Sequence, residues 1–184
     1  MGALYKNHIM KHIKTNKGEL IKVDEKHFDV LNEHTWHVDA NGYAVTTKYI
    51  RSRKESRETG LPRKKFIKMH RLVYELEHDV TLTTKEHIDH INRDRIDNRI
   101  ENIRVDLQGN GDGINQINQG LRSDNTSGYK GVFLRKRTGR WESSVSYKGK
   151  KKWLGSFDSK EEAAVAYNEK VIELHGEDVY LNDV

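Results

Sequence analysis

Tyr129-Lys-Gly-Val-Phe-Leu-Arg135, Trp141-Glu-Ser-Ser-Val-Ser-Tyr147 and Lys151-Lys-Trp-Leu-Gly-Ser-Phe157 are three runs of strand length, separated by Thr138-Gly139 and by Lys148-Gly149. Short gaps containing Gly between such runs mark tight turns, so the stretch reads as a three-stranded antiparallel meander. Ser159, with Glu162 three residues on, opens a helix in which Ala163, Tyr167, Val171 and Leu174 recur at helical spacing until Gly176 ends it. The apolar stripe of that helix covers one face of the sheet. The chain has nothing left to cover the other, which is therefore solvated or occupied by a partner. Trp141 alternates with Val145 and Tyr147, which reads as a core position.

The charge pattern says what kind of partner to expect. The 184 residues are 34% hydrophobic and 33% charged, with no Cys, one Pro and a formal charge of +5. That length holds one large or two to three small folded units. The lack of Cys excludes a disulfide framework, a thiolate nucleophile and a sulfur-ligated zinc site. No apolar run reaches membrane-spanning length, the opening residues lack a signal-peptide core, and Lys6 breaks the myristoylation pattern, so the expected compartment is the cytoplasm. Two segments hold the excess charge. Between Lys48 and Arg71 ten basic residues face Glu55 and Glu58; between Arg122 and Lys152 ten more face Asp124 and Glu142. Cations at this density repel one another unless an anion lies against them, and a polyphosphate backbone is the commonest such partner. Lys130, Arg135, Arg137, Arg140, Lys150 and Lys151 lie on or beside the meander, and a small sheet fits a DNA major groove.

The block Asn125-Thr-Ser-Gly-Tyr-Lys-Gly-Val132, then Arg140-Trp141, Trp153-Leu-Gly-Ser-Phe-Asp158 and Glu161-Glu-Ala-Ala-Val-Ala-Tyr167, resembles the plant Apetala/ERF DNA-binding domain over about the last third of the chain. The resemblance implies a sheet lying in the major groove, with double-stranded DNA contacted by Lys130, Arg135, Arg137, Lys151 and Trp153. Phe133 and Ser146 stand where members usually offer Arg, which bears on base specificity more than on phosphate contact.

Upstream, Glu86-His-Ile-Asp-His-Ile-Asn-Arg-Asp-Arg-Ile-Asp-Asn-Arg-Ile-Glu-Asn-Ile-Arg-Val105 gathers metal-ligand and proton-transfer groups within twenty residues, a density costly to bury without purpose. In an extended strand Asp89 and His90 point to opposite faces, so they share a site only where the strand bends. A hard carboxylate beside an imidazole suits a division between cation holding and proton transfer. The run resembles the HNH nuclease motif of phage and intron-encoded homing endonucleases. That resemblance implies Asp89 as metal ligand, His90 as general base, and Asn102, twelve residues later, as the amide that clamps the loop and orients the base. A second ligand nine residues after Asn102 lands on Gly111; aligning back from Ile114-Asn-Gln-Ile-Asn-Gln-Gly120 selects Asn115, with Asn110 as rival and Gly109, Gly111 and Gly113 absorbing the insertion.

The remaining histidines carry plainer readings. His8, His12, His27, His34 and His37 read as surface or turn residues, His175 as a charge partner at a helix end, His70 as a structural hydrogen-bonding residue, and His87 as a strand-mate of Asp89.

The expected class is α+β: a ββα-metal (His-Me finger) HNH core, preceded by a small β-rich unit and followed by a three-stranded antiparallel sheet packed on one helix. Expected limits are 1–61 for the N-terminal unit, 62–120 for the HNH domain, 121–128 for a linker and 129–184 for the Apetala/ERF-type domain. In the first of these, Glu19 to Val23 and Gly42 to Tyr49 read as strands; in the second, His70 to Glu77 reads as an amphipathic helix. The function these imply is a site-directed DNA endonuclease using Mg²⁺ or Mn²⁺, nicking to leave 5′-phosphate and 3′-hydroxyl ends, as a monomer or weak dimer without a small-molecule cofactor. The rival expectation is a non-catalytic DNA-binding regulator built on a degenerate HNH scaffold.

Overall fold

A computed structural model describes residues 9–106 and 113–184. They fall into two compact units, one formed by the residues before Thr84 with Asp94–Arg104, the other by Thr84–Arg93 with Val105–Val184. His8, Gly109, Asn110 and Gly111 lie outside the described residues. Four small sheets and five α-helices make the described class α+β. No helix among the described residues is long and apolar enough to cross a membrane.

In the first unit β1 (Met10–Lys14) and β2 (Leu20–Asp24) form an antiparallel hairpin, and α1 (Glu25–Asn32) packs against it. Ile13, Ile21, Val23 and Leu31 supply its buried side. Trp36 is 1% exposed, and its indole N–H donates to the Leu31 carbonyl at 2.7 Å, so the largest core side chain is also tied to the end of α1. A three-stranded sheet follows, built from β3 (His37–Val38), β4 (Ala44–Tyr49) and β5 (Lys64–Lys68), with α2 (Arg53–Thr59) between β4 and β5. α3 (Met69–His78) buries Met69, His70 and Val73 against β4 and β5. His27, expected at the surface or in a turn, is buried on α1: its Nε2 lies 3.0 Å from Glu77 on α3, and burial lowers its pKa. The expected limit at 61/62 runs between two paired strands, since five residue pairs join β4 to β5.

The second unit begins with β6 (His87–His90), which pairs with β7 (Ile103–Asp106), a strand whose last two residues belong to this unit. α4 (Ile114–Asn118) packs on β6. The meander is β8 (Val132–Arg135), β9 (Arg140–Tyr147) and β10 (Lys150–Phe157), with β9 central. Lys148 and Gly149 both take positive φ, the requirement of a two-residue hairpin turn. α5 (Lys160–His175) starts at Ser159, whose hydroxyl accepts from the Glu162 N–H at 3.1 Å, and ends before Gly176. Its Ala163, Ala164, Tyr167 and Val171 are buried against the sheet. Ile117 of α4 joins the cluster of Val145, Tyr167 and Val171. Residues 121–128, expected as a linker, lie within this one unit, where α4 shares a core with the sheet that follows it.

Candidate nucleic-acid interface

Alternation along β9 sorts the sheet into two faces. Trp141 packs with Val132, Ala163 and Ala164 on the helix side, and Val145 lies in the neighbouring cluster on that side. Register then places Phe133 opposite Glu142, Arg135 opposite Arg140, Lys151 opposite Ser146 and Trp153 opposite Ser144 on the other face. No helix among the described residues packs there. Trp153 is 61% exposed, an arrangement that leaves most of a flat indole in water. Lys151 Nζ sits 4.7 Å from the centre of the Phe133 ring, which holds the ammonium over the face. Arg140 reaches Ser156 and pairs with Asp158 at 2.7 Å. Arg137 is exposed in the turn between β8 and β9.

Glu142 organises this face, although no motif in the sequence singles it out. The residue is 8% exposed, and its carboxylate takes two bonds of 2.8 Å from Arg135 Nε and Nη2. The Arg135 bond, with a further bond from Trp153, holds the Glu142 carboxyl below the usual carboxylate range. The pair cancels a charge that would repel phosphate and leaves Arg135 Nη1 for an acceptor outside the protein. The available signal in the sequence is an acid at alternate positions with Ser144 and Ser146, opposite in face to Trp141.

Lys130 is placed differently from the other implied contacts. Its Nζ donates to the carbonyls of Gln116, Ile117 and Gln119 at 2.8, 2.7 and 2.5 Å, closing the end of α4. A phosphate contact would break those three bonds, so its work is inside the protein. Burial, with Arg93 adding repulsion, pushes the Lys130 amine down to about 8, and burial pushes the Tyr167 phenol up to about 12. A lysine in the unfolded chain titrates near ~10.4 and a tyrosine near ~10. Between about pH 8 and pH 10 the unfolded chain thus keeps a proton that folded Lys130 has released, and stability rises with pH. Above about pH 10 folded Tyr167 keeps a proton the unfolded chain has lost, and stability falls as pH climbs toward 12. The urea midpoint is expected to pass through a maximum near pH 10, and Lys130→Met removes the rise; a flat wild-type profile over pH 8–10 would contradict this.

The polar segment upstream is buried at Asp89, His90, Asp97, Asn98 and Asn102, and its side chains make bonds within the protein. In the second unit Asp89 and His90 are each 4% exposed. Asn118 Nδ2 lies 3.1 Å from Asp89 Oδ2, 3.4 Å from its Oδ1, and 2.8 and 3.1 Å from the carbonyls of His90 and Ile91. Asn115 instead turns its amide N–H to the Ile88 carbonyl at 3.1 Å, while its backbone N–H reaches Asp106. An amide N–H, not an oxygen, thus meets the Asp89 carboxylate, and these residues as arranged do not fit a divalent cation. Among the described residues no group of three or more His, Asp or Glu is arranged to hold a metal ion. In the first unit Asn102 Nδ2 donates to the Asp97 carbonyl at 2.8 Å, closing the loop. Asp97 takes a two-pronged bond from Arg99, and Lys22 exchanges backbone bonds with Ile96 and Asn98, pinning the loop to β2. His70 is buried with its ring edge-on to Tyr43 at 5.1 Å, and His87 is exposed.

No protein-family profile matches the chain. It is 38% identical over 71 residues to an AP2-like ethylene-responsive transcription factor of Arabidopsis thaliana, covering 39% of this chain and 14% of that one. It is 42% identical over 57 residues to APETALA2-like protein 2 of Oryza sativa subsp. indica, and 46% identical over 57 residues to dehydration-responsive element-binding protein 2E of Oryza sativa subsp. japonica. These matches cover 31% and 29% of this chain, and 13% and 17% of those relatives. The chain thus spans less than a fifth of the length of each relative named here, and the matches support an Apetala/ERF-type domain within it. They also correct the expectation of a metal-dependent endonuclease, and of an enzyme at all: the relatives carry the names of a transcription factor, an APETALA2-like protein and an element-binding protein.

Proposed function

We propose that the protein is a non-enzymatic, sequence-specific regulator that binds double-stranded DNA through the uncovered face of β8–β10. The observation that carries this is an exposed three-stranded face on which Trp153 and Lys151 stand free of the core, in a chain similar over some of its length to a plant transcription factor. Seated in a major groove, Arg137 and Lys151 take phosphates and set register, while Trp153 and Arg135 Nη1 face base and sugar edges. Phe133 and Ser146 offer no charged donor, so fewer positions are read by hydrogen bonds than in a face carrying Arg there. The β6–β7–α4 segment serves as scaffold, an HNH-type arrangement without chemistry. The reading is supported by amides bonded to backbone carbonyls and to Asp89, and by α4 sharing the core of the DNA-facing sheet.

Selection from a randomised duplex pool tests it. The full chain is expected to enrich a short motif, and Lys151→Ala/Trp153→Ala is expected to lose the enrichment and roughly 10- to 100-fold in affinity for the selected duplex, about 1–3 kcal/mol. Enrichment that is absent, or identical in the variant, would end this reading.

A further inference from the structure

A second basic surface lies in the first unit, on a different sheet from the one just assigned. β4 and β5 pair Lys48 with Lys65, Tyr49 with Lys64, Thr47 with Phe66 and Val45 with Lys68. Lys48, Lys64, Lys65 and Lys68 are exposed, and Tyr49 and Phe66 are 62% and 56% exposed. Neither sheet nor helix among the described residues covers the end of this ribbon. The helix at its tip, α2, has no buried residue and stands on its caps: Ser52 accepts from the Glu55 N–H, and Gly60 closes the other end in the left-handed region. Core packing does not explain why these side chains are present.

Charge gives the reason. The two acids of the segment are already used, Glu55 by Arg51 at 3.6 Å and Glu58 by Lys54 at 3.9 Å. Among the described residues no carboxylate pairs with Lys48, Arg53, Arg57, Lys64 or Lys65. Two lysines directly opposite on an antiparallel pair repel, an arrangement that an isolated ribbon has no reason to keep. Aromatic rings at alternate positions steady the cations: Lys64 Nζ lies 5.1 Å from the Phe66 ring centre and the Arg63 guanidinium 4.6 Å from that of Tyr49. By register Tyr49, Lys64, Phe66 and Lys68 share one face, while Lys48 and Lys65 lie on the other. A two-stranded ribbon charged on both faces suits a groove with phosphates along both walls.

We infer that the β4–β5 ribbon, with α2 at its tip, is a second DNA-binding arm that grips the phosphates of duplex DNA without reading sequence. The choice of duplex DNA as partner rests on the function proposed above; the charge and exposure of the arm do not.

The test uses the full chain and a fluorescein-labelled duplex of random sequence, with the same strand unpaired as a second probe. Binding is followed by anisotropy across a salt series for wild type, for Lys48→Ala/Lys64→Ala/Lys65→Ala, and for Lys151→Ala/Trp153→Ala. Each lost phosphate contact lowers the slope of log affinity against log salt by about 0.9, so the ribbon variant is expected to lose roughly 2 to 3 from that slope. Lys48→Arg/Lys64→Arg/Lys65→Arg should restore it, which a structural defect would not allow. If the ribbon variant binds like wild type while the sheet variant is impaired, the arm is refuted and the proposed function stands. If the ribbon variant is impaired and the sheet variant is not, the arm stands and the sheet assignment falls. Loss confined to the unpaired strand, or no change in either variant, overturns the arm.

Discussion

Gly131→Ala is expected to lower the unfolding free energy by about 3 kcal/mol. Two independent costs meet at this residue. Its φ of +75° lies in the left-handed region, where a Cβ costs about 1–2 kcal/mol. A Cβ built there stands 2.1 Å from a Tyr167 ring carbon and 2.8 Å from the Ser144 carbonyl oxygen. Neither neighbour gives way easily. Tyr167 is 2% exposed and packs with Val145, Val171 and Ile117, and Ser144 is bonded to Gly131 through its backbone N–H at 2.9 Å. Forcing volume into such a core costs about 1–3 kcal/mol more. Gly128→Ala isolates the first cost, because Gly128 also has a positive φ, +81°, with nothing within 4 Å of an added Cβ. Urea unfolding of the two variants should separate them by at least ~1 kcal/mol; equal losses would show that Gly131 does not sit hard against α5.

The second large effect concerns a change of a single group. Asn118→Asp keeps the shape of a side chain that is 2% exposed but replaces an N–H surrounded by four oxygens with a carboxylate oxygen. Two carboxylates then face each other in a buried site, and two carbonyls lose their donor. Breaking a buried charged contact in this way costs about 3–5 kcal/mol. Among the described residues Asn118 Oδ1 has no hydrogen-bond partner, so the contribution of this side chain runs through its N–H. Asn118→Leu, which removes the donor without adding charge, should cost less, about 1–3 kcal/mol. Chemical denaturation monitored by tryptophan fluorescence reads both; an Asp variant as stable as wild type would mean that Asp89 and Asn118 do not meet.

The burial of Asp89, His90, Asp97, Asn98 and Asn102 shows why the middle segment reads two ways. Polar groups enter a core only when bonded, and twenty residues rich in them signal a purpose without naming it. Through its resemblance to the HNH motif that purpose reads as hydrolysis. In the folded chain Asn102 closes a loop, Arg99 holds Asp97, and Asn118 binds β6, all of which are requirements of holding a loop and a short helix in place. Spacing along the chain cannot distinguish an amide that orients a base from one that ties down a carbonyl, because both demand the same residue at the same position.

What the sequence determined by itself is whatever depends on near neighbours. Period-two alternation with Gly at the turns marked β8, β9 and β10, the Ser159 cap and the helical spacing after it marked α5, and the amphipathic run from His70 to Glu77 marked α3, although the face it buries holds Met69, His70 and Val73 while Leu76 is exposed. Local sterics and local burial are enough for such elements. Tertiary structure alone decided where distant groups end up: that Lys130 closes α4 and does not face outward, that Ile117 belongs to the core of the C-terminal sheet, and that Glu142 is the acid Arg135 binds. It also decided that β4 and β5 pair across Pro62 and leave a charged ribbon uncovered. The reason is physical: a hydrogen bond or a van der Waals contact acts over a few ångströms of space and carries no memory of how far apart its partners lie along the chain.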